Sequence, residues 1–577
     1  MMRAPMVMLA VMSLAAAVPA SGQGAEPAPG SVSLTILHVN DTHSNFLPNM
    51  LSVSFPPDST VWRIPVGSVA RMATVVDSIR GDREDVIFLH AGDMVQGTLF
   101  YTLFGGEADA AVYNALGLDA MCPGNHEFDR GSEGLAVLLE DAGFPVVCAN
   151  LDVTGDSLLA GRIAPFTVLD AGGENVAVIG VVVDELVNVS SPSAATVVLP
   201  VLETVQGVID LLEEQGVNRI IILSHIGYSD DLALAAGLSG ADIIIGGHSH
   251  SVLGDLAGIG VGSDGGYPAV VAGADGARVL VATAGTRAAS LGVLTVSFDA
   301  EGHVESFEGA PVFVTGGGYQ DASRNPVAGD DLARLEGFLD GSPLIAVAEE
   351  DPAMHELVGI YEAELATFAY EVVGTASEDL LHQRIPGGDL PDGSLIAPVI
   401  CDAMLWKAEQ VGLEPDIAIL NAGGARIPVP AGDITVGTVY TLLPFGNTLA
   451  VLDVSGAQVK AVLEDAISNI FDDGNSDGSF PYAAGLRYSA AAGLPEGERV
   501  ESMEVLDDGG EWLPIDPDRT YRVVTPFFVA RGGDGYASFV GVEALDTGFI
   551  DAEVLMDYLI ETGTVSPGES RVTFTAD

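Results

Sequence analysis

The sequence predicts an α/β fold in at least two domains, and three observations carry that prediction. Five short hydrophobic runs in the first half lack the alternation of half-buried strands. Segments of helical periodicity separate them. At 577 residues the chain exceeds what a single core serves. Unalternating β-branched runs mark strands buried on both faces, and their alternation with helices implies a layered α/β domain.

Each run ends on a residue able to bind metal. The run 36–40 leads into Asp41-Thr42-His43, and 86–92 into Asp93. The run 120–124 leads into Asn125-His126, 220–224 into His225, and 243–247 into His248-Ser249-His250. Residues just past the carboxyl ends of such strands line the crevice where α/β sheets bind ligands. Helices are expected over 67–80, 108–116, 132–142 and 205–215. The Gly-rich stretch 254–276 reads as a loop or hairpin. Two more helices are expected over 330–339 and 352–369, the second with proline in its first turn. Beyond residue 371 a second α/β unit follows, with helices over 395–410 and 456–470 and a strand over 416–420. The domains are expected at 31–345 and 371–577, with 346–370 as linker.

Composition excludes several classes. A formal charge of −59, with only Lys407 and Lys460 beside twenty arginines, repels nucleic-acid polymers and anionic membranes. It also fits a surface adapted to high salt, where ions screen self-repulsion. Residues 1–24 read as a secretory signal: Arg3, an apolar stretch over 6–18, then small residues. No lipid-anchor cysteine or apolar C-terminal tail is visible, so export to the periplasm or medium without a stable membrane anchor is expected. Of three cysteines, Cys122 and Cys148 can pair, but free buried thiols are the expected state for them and for Cys401.

The strand-tip residues compose a site for two cations. Asp93 is the best bridging carboxylate; Asp41, His43 and His250 would complete one ion, and Asn125, His225 and His248 the other. Without thiolate the set suits zinc, manganese, iron, cobalt or nickel. Two ions about 3.5–4 Å apart activate water and stabilise both oxygens of an in-line displacement. His126 is then free to face substrate, with Asp129 to orient it and keep it protonated. His38 and His90, inside strands, read as packing or supporting residues. His303, His355 and His382 read as surface or interdomain residues.

Five stretches carry a resemblance: 36–44 (ILHVNDTHS), 92–97 (GDMVQG), 124–131 (GNHEFDRG), 224–227 (SHIG) and 246–250 (GGHSH). So do 421–426 (NAGGAR), 444–449 (PFGNTL) and 532–536 (GGDGY). Together they resemble the bimetal 5′-nucleotidase and UDP-sugar hydrolase family, which includes 2′,3′-cyclic-nucleotide phosphodiesterases. The resemblance implies a four-layer calcineurin-like metallophosphoesterase sandwich, a helical linker and a C-terminal 5′-nucleotidase substrate-binding domain, with catalysis in the cleft between them. It implies the same seven metal ligands and His126 with Asp129 as the catalytic pair. It further implies a nucleobase held between Phe445 and Phe528. Asn447 and Asp534 would contact base or ribose, Arg426 would bind phosphate, and Asn421 lies in the same motif.

One stretch departs from the family. Around 384–398, where relatives carry several arginines, only Arg384 remains, with Asp389 and Asp392 nearby. Fewer bidentate phosphate donors weaken the case for a standard nucleoside monophosphate, although Arg531 offers a replacement. The expected activity is 5′-nucleotidase. The alternatives are cyclic-diester or UDP-sugar hydrolysis, or a binding protein that captures nucleotide without turnover. The stretch 473–478 begins like a calcium loop, but Ala484 stands where the bidentate glutamate belongs, so a plain acidic turn is expected.

Overall fold

The computed structural model describes residues 32–575, apart from 57–58, 82, 389, 473–476, 508 and 569–570. The signal segment and most of the calcium-like loop lie outside the described residues. The chain forms two compact units, Met1–Ala363 and Glu364–Asp577. The division falls within the helix Pro352–Phe368.

Two large sheets build the first unit. In the nine-stranded sheet, Val32–Val39 pairs antiparallel with Ser290–Phe298 and parallel with Val86–Ala91, which in turn pairs parallel with Ala120–Cys122. In the six-stranded sheet, Glu174–Val182, Ile220–His225, Ile243–Gly246 and Arg278–Ala282 run parallel as neighbours. Register places Val39 beside His90 and Ala91 beside Cys122, and in the other sheet Ser224 beside Gly246. Neighbouring parallel strands therefore end level, and the chain leaves each sheet at one edge.

The sheets face each other across a shared core. Leu34, Ile36, Ile87, Leu89 and Ala120 come from one; Val178, Ile221, Leu223, Ile243 and Ile245 come from the other. Val205, Ile209, Leu212 and Leu234, from the helices Val201–Glu214 and Tyr228–Gly237, cover the second sheet's outer face against Ala177, Ile179, Ile222 and Ile244. On the first sheet His90 points outward and meets Tyr113 of the helix Glu107–Ala115 edge-on, ring centroids 5.0 Å apart. Helix, sheet, sheet, helix gives the four layers. Burial on both faces is why these strands read as unbroken apolar runs.

Some boundaries differ from expectation. The helix expected over 205–215 starts at Val201, directly after Pro200, whose φ of −57° suits a helix entry. The stretch 254–276 contains a short helical turn and the edge strand Ala269–Ala272, paired antiparallel with Arg278–Ala282. The hairpin Asn49–Ser54 with Val61–Val66 was not anticipated.

The second unit centres on a five-stranded sheet with the order Pro481–Ala484, Ile417–Asn421, Thr520–Pro526, Thr448–Ser455, Ala544–Ile550. Capping boxes start two of its helices: Ser455 with Gln458 opens Gly456–Phe471, and Thr435 with Thr438 opens Val436–Leu442. The helix Ala397–Gln410 starts two residues later than expected, where Ser394 Oγ accepts the Ala397 N–H at 3.0 Å. All three cysteines are free and buried.

Candidate metal centre and substrate residues

The strand tips turn sharply. Asp41, His43, Asp93, His248 and His250 all have φ between 50° and 71°, the left-handed region that non-glycine residues seldom occupy. Each such residue costs about 1–3 kcal/mol, and strain of this kind concentrates at functional sites. Glycines let the tips crowd together. A Cβ on Gly124 would overlap Asp93 Oδ1 and approach His225 Nε2 to 2.7 Å; one on Gly92 would lie 2.5 Å from His225 Nδ1.

Donor atoms converge in three groups: Asp41 with His43 and His250, His43 with Asp93 and His126, and Asp93 with His225 and His248. His43 Nε2 and His250 Nε2 are 3.0 Å apart, and His250 Nε2 is 3.5 Å from Asp41 Oδ1. Ligands of one tetrahedral ion at about 2.0–2.1 Å sit roughly 3.3 Å apart, so this spacing suits a shared cation. Asn125 Oδ1 lies 3.0 Å from His248 Nδ1. All seven expected ligands thus gather where parallel strands of both sheets end.

Orientation and charge support the same reading. His225 Nδ1 lies 2.7 Å from the Ala91 carbonyl, a contact that requires its proton and leaves the neutral ring's lone pair on Nε2. That nitrogen is buried without a well-formed hydrogen bond, although Asp93 Oδ2 lies 3.1 Å away. Burial opposes charge on His225, but Asp93 and Asp41 outweigh it and lift the imidazole to about 9. Burial pushes Asp41 up to about 7. His43 is held well below its ordinary value by burial and by His250. His248 falls to about 3 and His250 to about 4, both chiefly through burial. His43, His248 and His250 are thereby held neutral, the form that binds divalent cations. A cation held by Asp93 and His225 would displace the proton that the carboxylates keep on His225, so the donor set fits such ions.

His126 and Asp129 stand beside this cluster. His126 Nδ1 and Asp129 Oδ2 are 2.6 Å apart, and the His126 backbone N–H donates to Asp93 Oδ1 at 2.9 Å. Burial raises the Asp129 carboxyl while His126 pulls it back down. His38 and His90 support from within: His38 Nε2 meets the Tyr267 hydroxyl at 2.7 Å, and His90 Nε2 the Thr42 hydroxyl at 2.8 Å.

Sequence reasoning missed three supporting side chains. Glu127 accepts the backbone N–H groups of Gly124, Asp93, Met94 and Val95 at 2.5–3.3 Å, fixing the loop that bears Asp93. Its position within GNHEFDRG was the available signal. Gln96 donates from Nε2 to Asp129 Oδ2 at 3.1 Å, and Ser190 donates from Oγ to Asp129 Oδ1 at 3.0 Å. Nothing local in the sequence marks Ser190.

In the second unit, Asn421 Nδ2 donates to Asp534 Oδ2 at 2.7 Å, and Asp534 itself has a left-handed φ of 51°. The Phe528 ring lies over Gly533, where a Cβ would meet it at 2.5 Å. Arg426 donates to the Gly423 carbonyl, and its guanidinium lies 5.5 Å from the Phe445 ring centre. Phe445 and Phe528 are 42% and 48% exposed, unlike core phenylalanines. Three further residues also have protein partners. Arg384 is paired with Asp477 at 2.5 Å, Asn447 leans toward Asp551 at 3.4 Å, and Arg531 stacks on Phe527 at 4.9 Å. His303 and His355 are exposed beside Asp299 and Glu350, and half-buried His382 meets Ser394.

Such a sandwich with such a donor cluster defines a metal-dependent phosphoester hydrolase. Residues 34–252 match the calcineurin-like phosphoesterase family, and residues 372–541 match the 5′-nucleotidase C-terminal domain. The chain is 35% identical to a probable 5′-nucleotidase of Treponema pallidum, with 92% of each chain covered. It is 34% identical to the NAD 5′-nucleotidase of Haemophilus influenzae, with 92% of this chain and 90% of that one covered. The solved structure of Haemophilus influenzae NAD nucleotidase superposes with a TM-score of 0.82 at 32% identity, over 95% of this chain and all of that one. The chain belongs to the 5′-nucleotidase family of calcineurin-like metallophosphoesterases. Membership implies divalent metal ions, and the residues described above fit them.

Proposed function

We propose that the protein is an exported 5′-nucleotidase that uses two divalent ions sharing Asp93. The observation that carries this reading is the membership of Asp93 in two donor groups, one with His43 and His126 and one with His225 and His248. Asp41, His43 and His250 would hold one ion; Asn125, His225 and His248 would hold the other. The ions, when bound, would supply an activated water and neutralise charge on the phosphoryl group.

The chain's own residues do the rest. Asp129 holds the proton on His126 Nδ1, so Nε2 is turned to hydrogen-bond or protonate the leaving oxygen. Asn421, Asp534, Phe445 and Phe528 bind the nucleoside through ribose hydroxyls and base stacking, and Arg426 binds phosphate. Arg384 and Asn447, which the family pattern also places at the substrate, have protein partners in Asp477 and Asp551 that bound substrate would displace.

A second reading comes from the Haemophilus relative named as an NAD 5′-nucleotidase. Dinucleotides would then be substrates through their pyrophosphate bond. Assay of metal-loaded protein against 5′-nucleotides, dinucleotides, 2′,3′-cyclic nucleotides and UDP-sugars, with and without chelator, tests both. Chelator-sensitive release of phosphate from 5′-nucleotides is expected. Nucleotide binding without turnover would overturn the reading.

Export rests on the apolar N-terminal segment. Among the described residues, no helix is long and apolar enough to cross a membrane. N-terminal sequencing of the native protein, with cleavage near residue 24, tests it.

A further inference from the structure

Asp129 is held from both sheets. It follows the strand Ala120–Cys122 of the first, and Gln96 follows the neighbouring strand Val86–Ala91. Ser190 comes from the other side, at the end of the short helix Leu186–Val189 that follows the strand Glu174–Val182 of the second sheet. Fully buried Leu186 anchors that helix. The Ser191 N–H donates to the Phe128 carbonyl at 3.3 Å, tying the segment to the turn that carries His126.

The three donors divide the carboxylate between them. His126 Nδ1 and Gln96 Nε2 lie on Oδ2 at 2.6 and 3.1 Å; Ser190 Oγ lies on Oδ1 at 3.0 Å. The Gln96 amide cannot be reversed without loss, because its Oε1 accepts the Gly97 N–H at 3.1 Å. A carboxylate offers about four acceptor positions, two per oxygen, and here Oδ2 is doubly used. Ser190 is thus the side chain that stops the carboxylate from rotating about its own axis. A rotated carboxylate would let the His126 ring tilt from the line on which Nε2 must meet the substrate.

We propose that Ser190 is a positioning residue for phosphoester hydrolysis: its hydroxyl, delivered from the second sheet, fixes the Asp129 carboxylate and through it the His126 ring. This rests on the reading of His126 and Asp129 as the catalytic pair. A group that acts through the leaving oxygen matters most when that oxygen leaves poorly. The effect of Ser190 should therefore be larger on a nucleoside 5′-monophosphate, with its alkoxide leaving group, than on p-nitrophenyl phosphate.

The experiment compares wild type, Ser190→Ala, Ser190→Thr and Asp129→Ala in kcat and KM on AMP and p-nitrophenyl phosphate, with bound metal measured in each. General acid catalysis contributes about 10²–10⁴-fold, so loss of one positioning contact should lower kcat on AMP about tenfold. KM and metal content should stay near wild type, Ser190→Thr should restore most of the rate, and the loss on p-nitrophenyl phosphate should be smaller. Equal losses on both substrates, or a loss that follows metal content, would make Ser190 merely structural and overturn the proposal. Wild-type kcat in Ser190→Ala would also overturn it. Should the alanine variant fail to fold, Ser190→Cys keeps the volume without the strong donor and is read by the same criteria. An unchanged rate in Asp129→Ala would instead sink the catalytic pair itself.

Discussion

Asp93 Oδ2 and His225 Nε2 face each other at 3.1 Å across the gap between the two sheets, and glycine at position 124 is what leaves them room. One is the tip of a first-sheet strand and the other ends a strand of the second. Their approach joins the sandwich core to the candidate metal centre.

Gly124→Ala should therefore disable the centre. The added methyl would overlap Asp93 Oδ1 and crowd His225 Nε2, and both neighbours are fixed by backbone contacts. Metal titration should show affinity reduced by about 10–100-fold, the range for displaced supporting groups. Wild-type affinity would show that the tips can yield.

Glu127→Gln should destabilise the first unit independently of metal. The carboxylate serves four backbone N–H groups, whereas the amide turns N–H donors toward some of them. A buried donor left without a partner costs about 1–3 kcal/mol. Denaturant unfolding of the chelated protein should show a loss of that size. An unchanged midpoint would remove Glu127 as the loop's anchor.

How much of this was legible depends on sequence distance. The five strand tips declared themselves because burial on both faces makes an unbroken apolar run, and because level parallel strands bring their next residues together. The Asn49–Ser54 hairpin was not legible, since its polar and half-buried residues carry no strong period. Nor was Ser190, whose partner lies 61 residues away and whose surroundings hold no motif. In the second unit Asp534 and Phe528 were legible only through the family resemblance, since no local period marks them. The pairing of Arg384 with Asp477 could not be read, because it joins residues 93 apart.

Phe445→Ala and Phe528→Ala should raise KM for nucleotides while leaving p-nitrophenyl phosphate nearly unaffected. Stacking of a base is worth ~1–3 kcal/mol, which corresponds to about 5–150-fold in affinity. Steady-state kinetics on both substrates decide it. Equal changes on the two would mean that neither ring holds a base.

Salt should govern stability. With 81 acidic against 22 basic side chains, self-repulsion is poorly screened in dilute buffer. The thermal midpoint should fall at ~10 mM salt and recover as ionic strength rises toward ~1 M, where the screening length is about 3 Å. Equal midpoints at both extremes would show that the acidic surface serves solubility alone.

Metal analysis coupled to hydrolysis tests the central claim most directly. Protein equilibrated with zinc or manganese and freed of excess should carry two ions per chain, and Asp93→Ala should lose both the pair and about 10²–10³-fold or more of the turnover on AMP. A single ion per chain, or hydrolysis that survives the loss of Asp93, would contradict it.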